Sequence, residues 1–325
     1  MKNKIKKFPF FKFLNYFRVK YILKKENNYS NKLFLKYYIN SFSKSKRNYE
    51  YEIMLAIHQI EKGLSSKQLR PFGKDKVKTI IKDIDKIDIK SFVYNYGINI
   101  LKKYVEVYDE NKWSNAPEYI EVKDFLKSNL DLSSKMNVGS KLISFNDIKT
   151  NIDYEKFIST RHSIRNFSKR KLSDKDIEKA IRIASKSPTA CNRQMCNIYY
   201  AKSYNSGEII RKYAQGLGLF DFEGINYFII TYDVSSCLFA GEQYQGLFNA
   251  GLVSMNFVNG LHSLGIGSCF IQFGNRHEDE IAIKKQLNIP NCERIAIIIV
   301  AGYYDNVSKI PCSVKKNPND IFFIR

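Results

Sequence analysis

The stretch Arg161-His162-Ser163-Ile164-Arg165-Asn166-Phe167 places two guanidinium groups and a hydroxyl within five residues. Each arginine offers a planar fork of N–H donors that matches phosphate oxygens. Such a run can make a compact anion site, although arginines four apart also decorate ordinary solvated helix faces. Its meaning depends on what surrounds it in the chain.

Three other segments deserve weight alongside it. Ser187-Pro188-Thr189-Ala190-Cys191-Asn192-Arg193-Gln194 combines a proline, small residues and an asparagine between a helical and an extended pattern. That composition suits a tight loop whose backbone can approach a flat ligand, or a plain connection. Gly265-Ile266-Gly267-Ser268-Cys269-Phe270-Ile271-Gln272-Phe273-Gly274 is a glycine-marked strand that does not follow the GxGxxG dinucleotide pattern. Near the end, Ser313-Val314-Lys315-Lys316-Asn317-Pro318 sets two lysines before a proline.

The texture between these segments alternates. Asp153–Thr160 reads as a short helix and Ser163–Phe167 as extended chain. Ser173 begins a helix, its first turn carrying Asp174 and Asp176 where the helix dipole favours anions, and this helix stops before Pro188. Asn197–Lys202, Ile225–Tyr232, Ser268–Gln272 and Ile295–Ala301 read as strands. Gln243–Leu264 reads as a long helix ended by Gly265, and a further helix lies near Asp279–Leu287. Helices interleaved with four or five strands predict an α+β or α/β sandwich over residues 150–325.

Residues 1–135 read mainly as helix. Glu50–Gly63 has apolar periodicity and a glycine placed for a helix C-cap; Lys76–Lys86 and Val93–Tyr108 resume the pattern after a loop holding Pro71 and Gly73. Residues 136–149 are polar and irregular and read as a linker. The N-terminal end is basic: residues 1–50 hold 14 Lys and Arg against Glu26 and Glu50, in a chain of formal net charge +21. This favours contact with phosphate on lipid, nucleic acid or a small molecule. Within residues 8–25, Phe10, Leu14, Phe17 and Tyr21 recur at helical spacing among Lys12, Arg18 and Lys20. That pattern fits a helix on an anionic membrane surface, or an amphipathic helix packed on the rest of the protein. No apolar stretch reaches the roughly 20 residues of a membrane span.

Other classes find little support. The six cysteines (Cys191, Cys196, Cys237, Cys269, Cys292, Cys312) form no Cys-x-x-Cys pair and His58, His162, His262 and His277 are scattered, so no zinc spacing exists and no metal is expected. With no signal peptide visible, the cysteines are expected to be reduced thiols in a cytoplasmic protein, peripheral at the inner membrane face if residues 8–25 dock. Lysines mixed with aromatics but no recognition motif argue against a nucleic-acid partner. His58 and Glu61 are three apart on one helical face, a packing pair or a ligand contact.

Taken together and in order, the four segments resemble the nitroreductase family over about residues 150–325. In that family an Arg-x-Ser-x-Arg stretch, a Pro-Ser-x-x-Asn-x-Gln-like loop, a long core helix leading to a Gly-x-Gly strand, and a basic residue before proline follow one another. His58-Gln-Ile-Glu-Lys-Gly-Leu-Ser65 and the Cys-Asn-Arg-Gln variant of the loop further resemble a subgroup associated with bacterial surface-polysaccharide gene clusters. The resemblance implies a sandwich around a mostly antiparallel sheet, working as a homodimer that binds FMN at the interface. NADH or NADPH would be the electron donor and a small molecule the acceptor. It implies that Arg161, with Lys316 and Lys315, holds the FMN phosphate, that His162 is a positioning residue beside it, and that Ser163 contacts the cofactor. Arg165 would lie near the pyrimidine edge of the flavin. Pro188, Thr189 and Asn192 would line the cofactor from the partner subunit, and backbone at Ile271, Gln272 and Phe273 would face the ring. No catalytic side chain is expected, because the chemistry is the flavin's. The sequence departs from the pattern at Met195-Cys196, where relatives carry Pro-Trp, and at the tail lysine, where arginine is commoner. The alternative is a redox-silent scaffold that docks at a membrane or at glycan-assembly partners through the basic N-terminal region.

Overall fold

The computed structural model describes residues 9–66, 68–128, 135–142, 144, 152–217, 220, 222–271, 273–274, 276–308, 310–311, 313 and 315–325. Four strands, β1 (Cys196–Ala201), β2 (Asn226–Asp233), β3 (Ile266–Ile271) and β4 (Glu293–Tyr303), form one sheet in the order β1-β2-β4-β3. Every neighbouring pair is antiparallel. β1 and β3 are therefore opposite edges. The strands are Ile- and Val-rich because both faces are covered, and alternation then assigns residues to sides rather than to solvent. Phe228 and Ile230 pack with α7 (Asp174–Ala184) and α9 (Gln245–Ser263) on one face. Tyr227 and Ile229 pack on the other, where α8 (Tyr204–Tyr213) contributes Ile210 and α10 (His277–Gln286) contributes Ile283. This is the expected α+β sandwich. Ser173 caps α7 as its sequence predicts, its Oγ accepting from the Asp176 N–H at 3.1 Å. Helix α8 was not expected; Ser203 starts it by accepting from the Ser206 N–H at 3.1 Å.

The N-terminal region is helical as expected. Its elements are α1 (Pro9–Tyr37), α2 (Lys46–Leu64), α3 (Lys74–Asp83), α4 (Phe92–Glu110) and α5 (Pro117–Lys127), the last of which was not expected. Helices α2 to α5 enclose their own core of Ile53, Ile57, Ile60, Ile80, Ile98 and Tyr104. A short helix, α6 (Tyr154–Ser159), then precedes the sheet. Of the expected linker, residues 143 and 145–149 lie outside the described residues. Within 135–142, the Met136 N–H donates to Asn99 Oδ1 at 3.1 Å and the Gly139 N–H to Glu61 Oε1 at 3.3 Å, so this stretch packs on α2 and α4.

The helical layer is bolted to the sheet by charge. Asp233 and Glu293 are paired across β2 and β4, and both are fully buried. Arg47 of α2 donates from one terminal nitrogen to Asp233 at 2.5 Å and to Glu293 at 3.0 Å. Tyr199 and Thr231 hydroxyls add donations to Glu293, the latter at 2.5 Å. Burial would lower the Arg47 pKa, but its bonds to Asp233 and Glu293 outweigh that and hold it above the usual arginine value. Two buried carboxylates without that guanidinium would be costly.

Gly63 corrects the sequence reading. The helix does not end there but runs to Leu64 with Ser65 as its C-cap. The glycine is needed because a Cβ at this position would fall within the Phe72 ring. The Phe72 backbone is fixed by its N–H donating to the Tyr108 hydroxyl at 2.7 Å and by the Tyr104 hydroxyl donating to its carbonyl, and its ring lies against Tyr104 and Tyr108 at 5.6 and 6.4 Å. Alanine in a helix is worth about 1 kcal/mol over glycine, whereas overpacking a core costs about 1–3 kcal/mol. We expect Gly63→Ala to lower stability by up to about 2 kcal/mol in urea unfolding; a gain would show that Phe72 yields freely.

Candidate functional site

The Arg161–Phe167 segment runs beside the β3 edge. Ser163 bridges Ser268 in parallel, the Ile164 N–H donates to the Ser268 carbonyl at 3.0 Å, and Phe167 bridges Tyr304. The extended reading of this stretch is correct, and the fixed backbone sets its side chains. Ile164 and Phe167 are buried, while Arg161, Ser163 and Arg165 are half-buried and His162 is exposed. Arg165 donates to the Ser163 carbonyl at 3.3 Å and lines a cavity of about 360 Å³ with Cys269, Phe270, Ile271 and Gly274. Gln215, Gly216 and Phe220 form its other wall. Those three were not anticipated; the visible sign was Gly216, which takes a left-handed φ of 83° in the turn after α8. Burial pushes the Cys269 thiol up, against the pull of Arg165, Ser163 and Arg161. Ile271 is buried in the sheet core, and Phe273 lies at a second cavity of about 210 Å³ with Tyr232, Tyr244 and Arg294. Gln272 lies outside the described residues.

The Ser187–Gln194 loop is elsewhere. It feeds β1, and the Met195 carbonyl already accepts from the Asp233 N–H at 2.9 Å. Pro188 and Asn192 are exposed and Thr189 is half-buried, its hydroxyl accepting from the Gln194 N–H at 2.9 Å. Thr189 lines a third cavity of about 240 Å³ between α7, α9 and β1, which shares no residue with the one at Arg165. Four strand spacings of about 4.8 Å separate the β1 line from the Ser163 segment beyond β3, about 19 Å in all. Among the described residues, no hydrogen bond or ion pair joins the two groups.

The loop is held in an unusual shape. Cys191, Asn192 and Gln194 have φ of 52°, 51° and 51°, the left-handed region that non-glycine residues enter at a cost. Arg193 fixes it from within. Only 1% exposed, Arg193 forms a two-pronged pair with Glu242 at 2.7 Å on each oxygen and donates to the Ser236 carbonyl at 2.5 Å. Burial alone would raise the Glu242 carboxyl, yet Arg193 and the Leu238 N–H hold it below its usual value. The helical layer reaches the same loop: α2 packs against Ala190–Asn192, and the buried Tyr96 hydroxyl of α4 lies beside Glu61 and Asn192. Sequence reading noted Glu61 but not Tyr96, because nothing local relates residues of different helices. Strained loops stapled in this way are found where a backbone must meet a ligand.

Lys315 and Lys316 are exposed in the tail, and among the described residues neither has a hydrogen bond or ion pair. The tail leaves the sheet after Tyr304, on the side of the arginine segment. There His262 spans Thr160 at 3.0 Å and the Tyr304 hydroxyl at 3.1 Å. Desolvation first, then repulsion from Arg161 and His162, lowers the His262 pKa below 6.5, against a contribution from the Phe157 backbone. A histidine lowered in the folded state adds stability that is complete above its unfolded value of about 6.5 and is lost as pH falls through the window below it. Replacing Arg161 with alanine should therefore move the His262 midpoint upward in an NMR ring-proton titration. No movement would mean that Arg161 is turned away from His262.

Comparison with known proteins adds a family to this geometry. Residues 158–217 and 242–303 match the model of the nitroreductase family. No curated protein matches the chain. Among solved structures, the fold is similar to a nitroreductase family protein from Streptococcus pneumoniae, at 21% identity and TM-score 0.44, covering 53% of this chain and 100% of that one. It is similar as well to a nitroreductase family protein from Clostridium difficile, at 18% identity and TM-score 0.46, covering 53% and 98%. An FMN-dependent nitroreductase from the same species aligns at 19% identity and TM-score 0.42, covering 52% and 98%. The two stretches matched by the model contain the arginine segment, the strained loop, α9 and both edges of the sheet, so it is this part of the chain that is similar to the nitroreductase family.

Proposed function

We propose that the protein is an FMN-dependent oxidoreductase, acting as a homodimer with two sites, that passes two electrons from NADH or NADPH to a small-molecule acceptor. The observation that carries this reading is the Arg161–Arg165 segment fixed along the β3 edge, with Arg165 lining a cavity of about 360 Å³ and Ser163 and Arg161 two and four residues before it. That volume lies within the range of small-molecule sites, and the donors suit an anionic, planar ligand. FMN fits both demands. When bound it supplies the hydride chemistry; the protein supplies binding, orientation and electrostatics.

The roles divide by chemistry. Arg161 offers its fork to the phosphate, joined by Lys315 and Lys316 as mobile point charges. His162 stands beside Arg161 as a positioning residue. Ser163 contributes a hydroxyl, and Arg165 in the cavity wall balances negative charge on the ligand ring. Backbone at Ile271 and Phe273 faces the ring, with Phe220 and Ile271 excluding water. Pro188, Thr189 and Asn192 complete the site from a second copy. Support for the second copy comes from α9 and its N-cap Tyr244, where Tyr244, Leu247, Phe248 and Met255 form an exposed stripe, Phe248 being 65% exposed. Ile321, Phe322, Phe323 and Ile324 leave a second apolar run exposed in the tail. Two such patches on one molecule suit an interface between copies. The resemblance of His58–Ser65 to the polysaccharide-cluster subgroup is the support for an acceptor from surface-polysaccharide biosynthesis.

The test begins with the purified protein's visible spectrum and the identity of any chromophore released by heat. We expect bound FMN that bleaches on anaerobic addition of NADH or NADPH. Losing a charge-assisted bond of about 1.5–3 kcal/mol predicts FMN affinity roughly 10–100-fold weaker in Arg161→Ala. Lys316→Ala should weaken it less. A colourless protein that takes up no added FMN would overturn the proposal.

A further inference from the structure

Helix α1 has two unlike halves. The C-terminal half is rooted. Glu26 accepts from the His277 N–H at 3.0 Å, Tyr29 stacks on the His277 ring at 4.7 Å, and Arg294 donates to the Ser30 hydroxyl at 3.0 Å. Phe34 is buried with Tyr232, Val234 and Cys237 at the end of the sheet. The N-terminal half touches almost nothing: every residue from Lys12 to Tyr21 is exposed. At 1.5 Å per residue this is a rod about 15 Å long, standing off a fixed base. A helical stretch of that length without tertiary contacts is marginal in water. Its exposed side chains are also the wrong ones for water.

Phe13, Phe17 and Tyr21 fall four residues apart and, with Leu14 three before Phe17, make one stripe, with Phe13 58% and Phe17 48% exposed. Basic residues border it on both sides. Lys20 and Lys24 follow Phe17 and Tyr21 by three, and Arg18 follows Leu14 by four, while Lys25 is already paired with Glu278. Tyr16 flanks the stripe, whereas Val19 and Leu23 are exposed on the far side of the helix, so apolar surface is not confined to one face. Across the whole of α1 seven Lys and Arg face a single acid, Glu26, which is engaged by His277. Aromatic residues bordered by cations are the side-chain set of a helix lying in the headgroup layer of a bilayer. Among the described residues no helix is long and apolar enough to cross a membrane.

We propose that the N-terminal half of α1 docks the protein on an anionic lipid surface, the stripe entering the acyl boundary while the flanking cations pair with headgroup phosphates. The charge of this half selects a negatively charged bilayer over a neutral one, and the rooted half fixes how the rest of the molecule meets it. This rests on α1 alone and does not depend on the flavin reading.

Flotation of the full-length protein with phosphatidylcholine vesicles, with and without phosphatidylglycerol, tests the proposal. We expect flotation only with the anionic vesicles, weakening as salt rises. The double variants Phe13→Ser with Phe17→Ser, and Lys20→Glu with Lys24→Glu, should each reduce partitioning at least roughly tenfold. Because these positions are solvent-exposed, the thermal unfolding of both variants should match the parent, which separates lost docking from lost folding. Failure to float, equal flotation with neutral vesicles, or parental flotation of the phenylalanine variant would each overturn the proposal. So would retention of an RNA oligonucleotide without vesicle binding. A fall in the protein's mass by light scattering in the phenylalanine variant, again without vesicle binding, would assign the stripe to a second copy instead.

Discussion

The order of the sheet governs everything else in this molecule. Because β1 and β3 are opposite edges, the loop entering β1 and the arginine segment lying along β3 are kept about 19 Å apart by the width of the sheet itself. No side-chain movement can close such a gap, since backbone hydrogen bonds set the strand spacing. If both groups serve one ligand, they must come from two copies of the chain. The exposed stripe on α9 and the apolar tail then have a reason to exist.

The same constraint explains where stability is concentrated. The loop carries three non-glycine residues in left-handed conformation, and the buried Arg193–Glu242 pair opposes the resulting strain. Around it the helical layer adds a second support, through α2 against Ala190–Asn192 and through Arg47 against the buried carboxylates of Asp233 and Glu293. The N-terminal half of the chain is thus a brace for the loop as well as a separate core.

Much of this was legible in the sequence where the signal is local. Ser173 and the acidic turn after it announced α7, and β-rich runs announced all four strands to within two residues at each end. What stayed hidden was long-range. Arg47 meets partners 186 and 246 residues away, and Tyr96 of α4 meets Asn192 of the loop across 96 positions of sequence. Arg193 looked like one more loop cation, although it is the most deeply buried large side chain of the loop. Gly63 was misread for a related reason: a glycine near a helix end signals either a cap or a close approach, and only the position of Phe72 distinguishes them.

The central claim is that the arginine segment and the strained loop form one site only across two subunits. Subunit complementation tests it most directly. Arg161→Ala and Asn192→Ala chains, carrying different affinity tags, would be co-expressed and the mixed dimer isolated, and its FMN content measured against each parent variant. In a mixed dimer one site receives both substitutions and the other receives none. The account predicts that the mixed dimer regains about one FMN per dimer, half the wild-type content, while each variant alone binds weakly. FMN content no higher than that of the parent variants would contradict it, because the two groups would then act within a single chain or not on the same ligand.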